Sequence, residues 1–481
     1  MPSLVRPRPF VRAILTAGAL AIPLSSCVIK LTDKNSPEVN GAVTGAPANC
    51  KAIQVVPKSS LDGPEGPRLV GRFKLPDAPN PENPDAPADP NTIFDWSGNS
   101  IQFRFTGTTS VTVHLKLADQ VPQDQVFQFV VDGKPTKREI TVKKDAKGAY
   151  TNEAETNYVI DHLSTGDHEV VIWKNTEAQK GAVIFQGVDL GPGGRFIAGR
   201  RRQRKMEVIG DSIICGYGNE GQNATCPFEV VVRKAVTADN KQIDITIPRT
   251  ENQYLSFTSQ AARELDADVT TICWSGKGVM LNYKEAYRRD PTGALVPDAD
   301  ATKVIPDLWR TRTLAGDPNS YPYDFSKEKP EDKPQVVLIS LGTNDFSRDE
   351  EPRPADPSKL PGDNVPDGNL LKPDVYAQFK QAYLSFVNEV REKRPDAHIF
   401  LATPPMLTDQ FPLENARSRL RAVLDYIVEE RTRAGDKKVY AMNLVEMGFR
   451  YGLGCDYHPN LEVHQIMANQ LAGAIRSKTC W

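Results

Sequence analysis

The sequence predicts two folded parts, a β-sandwich over residues 65–200 and a three-layer α/β domain with a parallel sheet over 201–481. Three observations predict them. Short alternating apolar runs with no helical period fill the first part. Apolar strand-like runs alternate with amphipathic helical stretches in the second. A chain of 481 residues also exceeds what one core accommodates, roughly 250–300 residues. Apolar content of 39%, charged content of 25% and a formal net charge of −2 are those of an ordinary globular protein. With no basic stripe, nucleic acid is excluded as an expected partner.

The N-terminus precedes both parts. Arg6, Arg8 and Arg12 lead into an apolar stretch from Ala13 to Pro23, followed by Leu24-Ser25-Ser26-Cys27. A basic head, a short apolar middle and small residues describe an export signal, too short for a good membrane span. Its end resembles a bacterial lipobox, which implies that residues 1–27 are a leader, that Cys27 is lipidated and that the chain is exported and membrane-anchored. Residues 28–64 are then a tether, aperiodic and rich in Asn, Gly, Pro, Ala and Val to about residue 50.

Apart from Cys27 there are six cysteines: Cys50, Cys215, Cys226, Cys273, Cys455 and Cys480. In an exported chain they permit three disulfides; Cys215 and Cys226, close in sequence, are the first expected pair. No cysteine or histidine cluster has zinc spacing, so neither a metal nor a cofactor is indicated.

In the first part, Pro76 to Pro90 reads as a proline-rich surface loop. Strict alternation in Val111–Leu117 buries one strand face and turns His114 outward with Thr112 and Lys116. Phe127 to Val131 runs into Asp132-Gly133, a hairpin signal, with a second strand around Ile140. Val170–Trp173 and Ala182–Phe185 add two strands, and His162 and His168 are expected at the surface. In the second part, Met206–Ile209, Val269–Cys273, Val336–Leu341, Ile399–Ala402 and Val439–Met442 are five candidate parallel strands. Val375, Phe379, Tyr383, Phe386 and Val390 mark the clearest helix between them. Ligand sites in such sheets lie at the strands' C-terminal ends.

Three short segments follow those strand ends. Gly210-Asp211-Ser212 offers a hydroxyl, Trp274-Ser275-Gly276-Lys277-Gly278 a close-approaching backbone N–H, and Gly342-Thr343-Asn344-Asp345 a short-stemmed amide. A fourth, Asp456-Tyr457-His458-Pro459, offers a base. Acyl transfer needs this set: Ser212 as nucleophile, His458 as base, and Gly276 and Asn344 as oxyanion donors beside the Ser212 amide. Gly278 is an alternative donor to Gly276. His464 falls within a helical run and is the less suitable base. Asp211 and Asp345 read as acceptors that hold loops.

The order Ser, Gly, Asn, His resembles the SGNH (GDSL-type) hydrolases. The longer matches, Gly210–Asn219, Trp274–Val279, Leu341–Phe346 and Gly454–Pro459, resemble carbohydrate esterase family 2, as do Gly166–Val170 and Lys174-Asn175-Thr176-Glu177 in the β part. The resemblance covers roughly residue 65 to the end. It implies a jelly-roll-like β-sandwich before an SGNH domain, and release of acetyl groups from acetylated polysaccharide or oligosaccharide. The family often has Trp before its histidine; Tyr457 keeps a ring there, suited with Trp274 to lie against a sugar. Many SGNH enzymes carry an aspartate three residues before the histidine, where this chain has Cys455. Asp456 is therefore a doubtful orienter, and a Ser-His dyad held by backbone acceptors is expected. Residues 229–250 look like an inserted hairpin and 348–370 a charged, proline-rich loop, either of them a cleft rim or a solvated decoration.

Two other functions compete. A GDSL-type lipase, lysophospholipase or thioesterase would share Ser212 and His458 but would want a long apolar groove, of which the sequence shows no sign. A non-catalytic glycan-binding surface protein would have no use for the complete set.

Overall fold

Alternation in the first part builds two antiparallel sheets. In one, Arg68–Val70, Ser100–Thr106, His168–Lys174, Gln125–Val131 and Lys134–Ile140 lie side by side, with Arg195–Ile197 also on Ser100–Thr106. In the other the order is Thr92–Phe94, Val183–Leu190, Val111–Leu117, Thr156–Ile160. Their facing sides close over Phe103, Phe105, Val113, Leu115, Phe127, Phe129 and Ile172. The Asp132-Gly133 turn joins its strands with both residues at positive φ, 50° and 77°, the twist a two-residue hairpin requires.

This is a computed structural model, which describes residues 60–77, 91–118, 123–140, 143–144, 150–151, 156–236, 241–283, 285, 287–292, 295–297, 302–316, 322–347, 370–447 and 451–481. The leader with Cys27, the tether as far as residue 59 with Cys50, proline-rich residues 78–90 and loop residues 348–369 lie outside them.

All five candidate parallel strands form. Their order is Ala267–Cys273, Arg204–Gly210, Val336–Ser340, His398–Thr403, Val439–Asn443, every pair parallel. Phe257–Glu264 and Leu461–Lys478 cover one face, and Ile305–Thr311, Pro373–Lys393 and Ala416–Arg433 supply the apolar residues of the other. Pro373–Lys393 buries Val375, Phe379, Tyr383, Phe386 and Val390, the stripe its spacing predicts. The chain thus begins at a central strand and adds neighbours on both sides. In sheets of this kind that reversal marks where ligands bind, here the C-terminal ends of Arg204–Gly210 and its two neighbours.

The sandwich is fused to this sheet by polar contacts. The Arg68 guanidinium pairs with Asp268 at 2.7 Å, Trp173 Nε1 donates to Gln253 Oε1 at 2.7 Å, and Trp96 Nε1 donates to the Thr313 carbonyl at 3.0 Å. Residues 229–250 contain a hairpin, Val230–Val236 with Gln242–Ile247, which buries Ile245 against the sandwich core.

Two expectations are corrected. Cys215 bonds Cys273, and Cys226 bonds Cys455; Cys480 is disulfide-bonded as well. Cys215 closes the turn after one strand and Cys273 ends the strand beside it, so their Cα atoms stand 5.6 Å apart. Sheet register outweighs closeness in sequence. His168 is buried rather than at the surface, its Nδ1 2.7 Å from Asp132 Oδ2. It begins a strand whose inward positions alternate from it, and Asp132 in the hairpin turn satisfies the ring. His162 is exposed, and His114 sits half-buried between Asn157 and Asp189.

Candidate active site

Strand Arg204–Gly210 ends at Asp211, which caps a single helical turn, Ser212–Cys215, by accepting from the Ile213 N–H at 3.1 Å. That turn places Ser212 at the C-terminal end of the strand. His458 Nε2 lies 2.8 Å from Ser212 Oγ. His458 Nδ1 lies 2.8 Å from the Asp456 main-chain oxygen. A carbonyl only accepts, so Nδ1 carries the proton and the Nε2 lone pair faces the hydroxyl. The half-buried imidazole is desolvated, which pulls its pKa down to about 4 against the opposing pull of the Asp456 carbonyl and carboxylate.

The histidine loop is pinned to the serine loop. The Cys455 N–H donates to the Gly218 carbonyl at 3.0 Å, and the approach is so close that a Cβ on Gly218 would lie 2.7 Å from the Cys455 oxygen. Tyr217 places its ring 4.2 Å from the His458 ring, centroid to centroid, and its OH donates to Asp456 Oδ2 at 3.0 Å. Phe228 stacks on the far side of Tyr217 at 3.5 Å. The Cys226–Cys455 disulfide fastens the same segment. The Asp456 carboxylate is thus engaged by Tyr217, not by the imidazole.

Gly276 and Asn344 come from the two flanking strands, Ala267–Cys273 and Val336–Ser340. Gly276 has φ +77°, a conformation that favours glycine. Among the described residues its N–H has no acceptor, whereas the Gly278 N–H is taken by Asn282 Oδ1 at 3.1 Å. Gly276 is therefore the better-placed donor of the two. Asn344 Nδ2 donates one hydrogen to the Lys277 carbonyl at 2.8 Å, which leaves its second free for a ligand. Asp345 holds the same loop by accepting from the N–H groups of Val279, Met280 and Leu281 at 3.0, 2.9 and 2.8 Å.

Tyr457 is 58% exposed beside His458, while Trp274 is half-buried and packs against the core under the Gly276 loop. His464 is buried in Leu461–Lys478, where its Nδ1 accepts from the Phe257 N–H at 3.0 Å and so caps the start of the neighbouring helix, Phe257–Glu264. Sequence reasoning missed Tyr217 and Phe228. The only available signal was an aromatic residue between two glycines directly after the serine turn.

A parallel sheet of this order, with a serine, a glycine and an asparagine at three adjacent strand ends, defines the class of GDSL-like lipases and acylhydrolases, whose family model matches residues 208–466. The carbohydrate esterase 2 N-terminal model matches residues 85–199. The chain belongs to carbohydrate esterase family 2. It is 32% identical over 394 residues to cellulase/esterase CelE of Acetivibrio thermocellus, a match that covers 80% of this chain and 38% of that protein. The chain therefore spans well under half of that relative. It is 25% identical over 394 residues to an acetylxylan esterase / glucomannan deacetylase of Cellvibrio japonicus, covering 82% and 88%. A family two carbohydrate esterase from Clostridium thermocellum, solved in complex with cellohexaose, superposes with a TM-score of 0.60 at 30% identity, covering 85% and 98%.

Proposed function

We propose that this chain is an exported, lipid-anchored carbohydrate acetylesterase that removes O-acetyl groups from polysaccharide or oligosaccharide through a serine acyl-enzyme. The observation that carries this reading is the 2.8 Å contact between His458 Nε2 and Ser212 Oγ. Ser212 Oγ attacks the acetyl carbonyl as its proton passes to His458 Nε2, and the imidazolium is stabilised at Nδ1 by the Asp456 carbonyl. The oxyanion is received by the Ser212 and Gly276 N–H groups and by Asn344 Nδ2. Collapse expels the sugar oxygen, which takes the proton from His458. Water then attacks the acetyl-serine, the same histidine serving as base, and acetate leaves. Tyr457 offers an exposed ring against which a sugar packs.

The substrate follows from the relatives: proteins named as acetylxylan esterase / glucomannan deacetylase and a structure holding cellohexaose support an acetylated β-linked plant polysaccharide. The Ser212→Ala variant, assayed for acetate release from acetylated xylan and glucomannan, tests the mechanism. Loss of a serine nucleophile costs on the order of 10⁶ in kcat, so retention of more than about a hundredth overturns it. A lipase reading predicts preference for octanoyl over acetyl esters; the family membership and the exposed aromatic residue favour acetyl.

A further inference from the structure

The motif Lys174-Asn175-Thr176-Glu177 lies in the sandwich, yet all four of its residues are buried. Glu177 reaches out of the sandwich into the hydrolase domain. Its carboxylate accepts from the Ser275 N–H at 2.6 Å and from the Ser275 hydroxyl. Ser275 is the residue whose carbonyl and the Gly276 N–H form one peptide plane. Holding Ser275 by its N–H and its hydroxyl anchors the Cα on which that plane pivots, so the Ser275 ψ is the one soft torsion between the anchor and the Gly276 N–H. We propose that Glu177 is a positioning residue for the oxyanion-binding Gly276 peptide, so that the sandwich is part of the reacting apparatus and not a detachable glycan-binding module. This rests on the reading of Gly276 as an oxyanion donor.

From the hydrolase side the loop is held by the Tyr283 N–H on the Gly276 carbonyl at 2.7 Å, by Asn344 on the Lys277 carbonyl and by Asp345 on the N–H groups of residues 279–281. Those contacts lie after the Gly276 N–H in the chain. Before it, Glu177 on Ser275 adds to the Trp274 N–H bond to the Gly210 carbonyl at 3.3 Å, and the peptide is bracketed. An acceptor here also leaves the Gly276 N–H unspent, because the carboxylate engages the preceding residue.

The surroundings of Glu177 are built to keep it in place. Glu251 faces it, one carboxylate oxygen 3.4 Å from the Glu177 N–H. The Lys174 ammonium donates to the Thr176 and Glu177 carbonyls at 2.6 and 3.3 Å. Its charge also favours the ionised form of both buried carboxyls. Burial, and then the neighbouring Glu177, hold the Glu251 carboxyl well above the usual range, while burial raises the Glu177 carboxyl against the opposing pull of its bonds from Ser275. Glu177 remains the acceptor that Ser275 requires. A group with a purely structural role in joining the two domains would need neither the pair nor a reach to the residue before Gly276; the Arg68–Asp268 pair does that joining elsewhere.

The test separates transition-state stabilisation from stability. Glu177→Gln keeps the shape but replaces one acceptor oxygen by NH₂, and Ser275→Ala removes only the hydroxyl donor. With 4-nitrophenyl acetate, Glu177→Gln is expected to lower kcat by about 10–100-fold, since misplacing a catalytic group by about 1 Å costs on the order of 10². KM should stay within about threefold, because the lost interaction exists only in the transition state. Ser275→Ala should lower kcat by about three- to tenfold, and the double variant should be no worse than Glu177→Gln, as expected of residues acting as a unit. A lower thermal midpoint with wild-type kcat per folded molecule would overturn the proposal. So would wild-type kcat in Ser275→Ala should Glu177→Gln not fold. Ser212→Ala, measured in parallel, reports on the acyl-enzyme reading itself: activity retained there removes that reading, whereas activity lost there with Glu177→Gln unaffected removes only this inference.

Discussion

Asp456 meets His458 through its main-chain oxygen, 2.8 Å from Nδ1, while its carboxylate turns away to accept from Tyr217 at 3.0 Å. The arrangement depends on backbone conformation: Asp456 and Tyr457 both have positive φ, 52° and 59°. Two successive left-handed residues swing the Asp456 carbonyl back toward the imidazole. A side-chain carboxylate is therefore not what orients the base.

Asp456→Asn should accordingly cost less than about tenfold in kcat, against the ~10⁴ lost when the aspartate of a true triad is replaced. An asparagine oxygen still accepts from Tyr217, so the loop keeps its shape. A thousandfold fall with the fold intact, measured by steady-state kinetics and circular dichroism, would establish the carboxylate as the orienting group.

Ser212, Gly276 and Asn344 were legible because each lies a few residues past an apolar run, and the five-strand rhythm of the second part is local in sequence. The Pro373–Lys393 helix was legible for the same reason: its buried stripe repeats every three or four residues. What could not be read depends on distant parts meeting. Cys226 and Cys455 are 229 residues apart, and Cys215 lies far closer to Cys226 than to Cys273 in sequence, yet strand order reassigns both pairs. The reach of Glu177 to Ser275 crosses a domain boundary that no periodicity reports. His168 gave a loop-like signal, and only the hairpin turn carrying Asp132 explains why it is buried.

Replacing Cys27 by Ser should move the protein from the membrane to the soluble fraction with kcat unchanged. The expectation rests on the leader pattern ending in Leu24-Ser25-Ser26-Cys27. Because one acyl chain binds a bilayer only marginally, two or more are expected at this residue. Mass spectrometry of the mature protein checks it; an unmodified N-terminus elsewhere refutes the anchor.

Mild reduction should lower kcat before it unfolds the enzyme. Cys226 is partly exposed, whereas Cys215 and Cys273 are fully buried, so the Cys226–Cys455 bond is the more accessible to a thiol. Opening it frees the loop that carries His458 from the segment bearing Phe228. A fall in kcat of about 5–50-fold is expected, a share of the 10² that about 1 Å of misplacement costs. Alkylation after timed reduction should label Cys226 and Cys455 before Cys215 and Cys273; full activity with both labelled would refute the role.

The acid limb of kcat/KM should lie near pH 4. In the proposed mechanism His458 can serve as base only when neutral, and desolvation holds its pKa at about 4, below the ordinary value of 6.5. Activity is therefore full above that value and falls as pH drops through it, since kcat/KM reports the free enzyme. The opposing influence of Asp456 gives the assignment a second check. A carboxylate near the ring favours the imidazolium and raises its pKa, so Asp456→Asn should move the limb to still lower pH. Rate measurements on 4-nitrophenyl acetate from pH 3 to 8, with fluorescence to verify folding at each point, decide the matter. A limb at 6 or above would show the imidazole to be solvated in the free enzyme, and an upward shift in Asp456→Asn would remove the carboxylate from its surroundings.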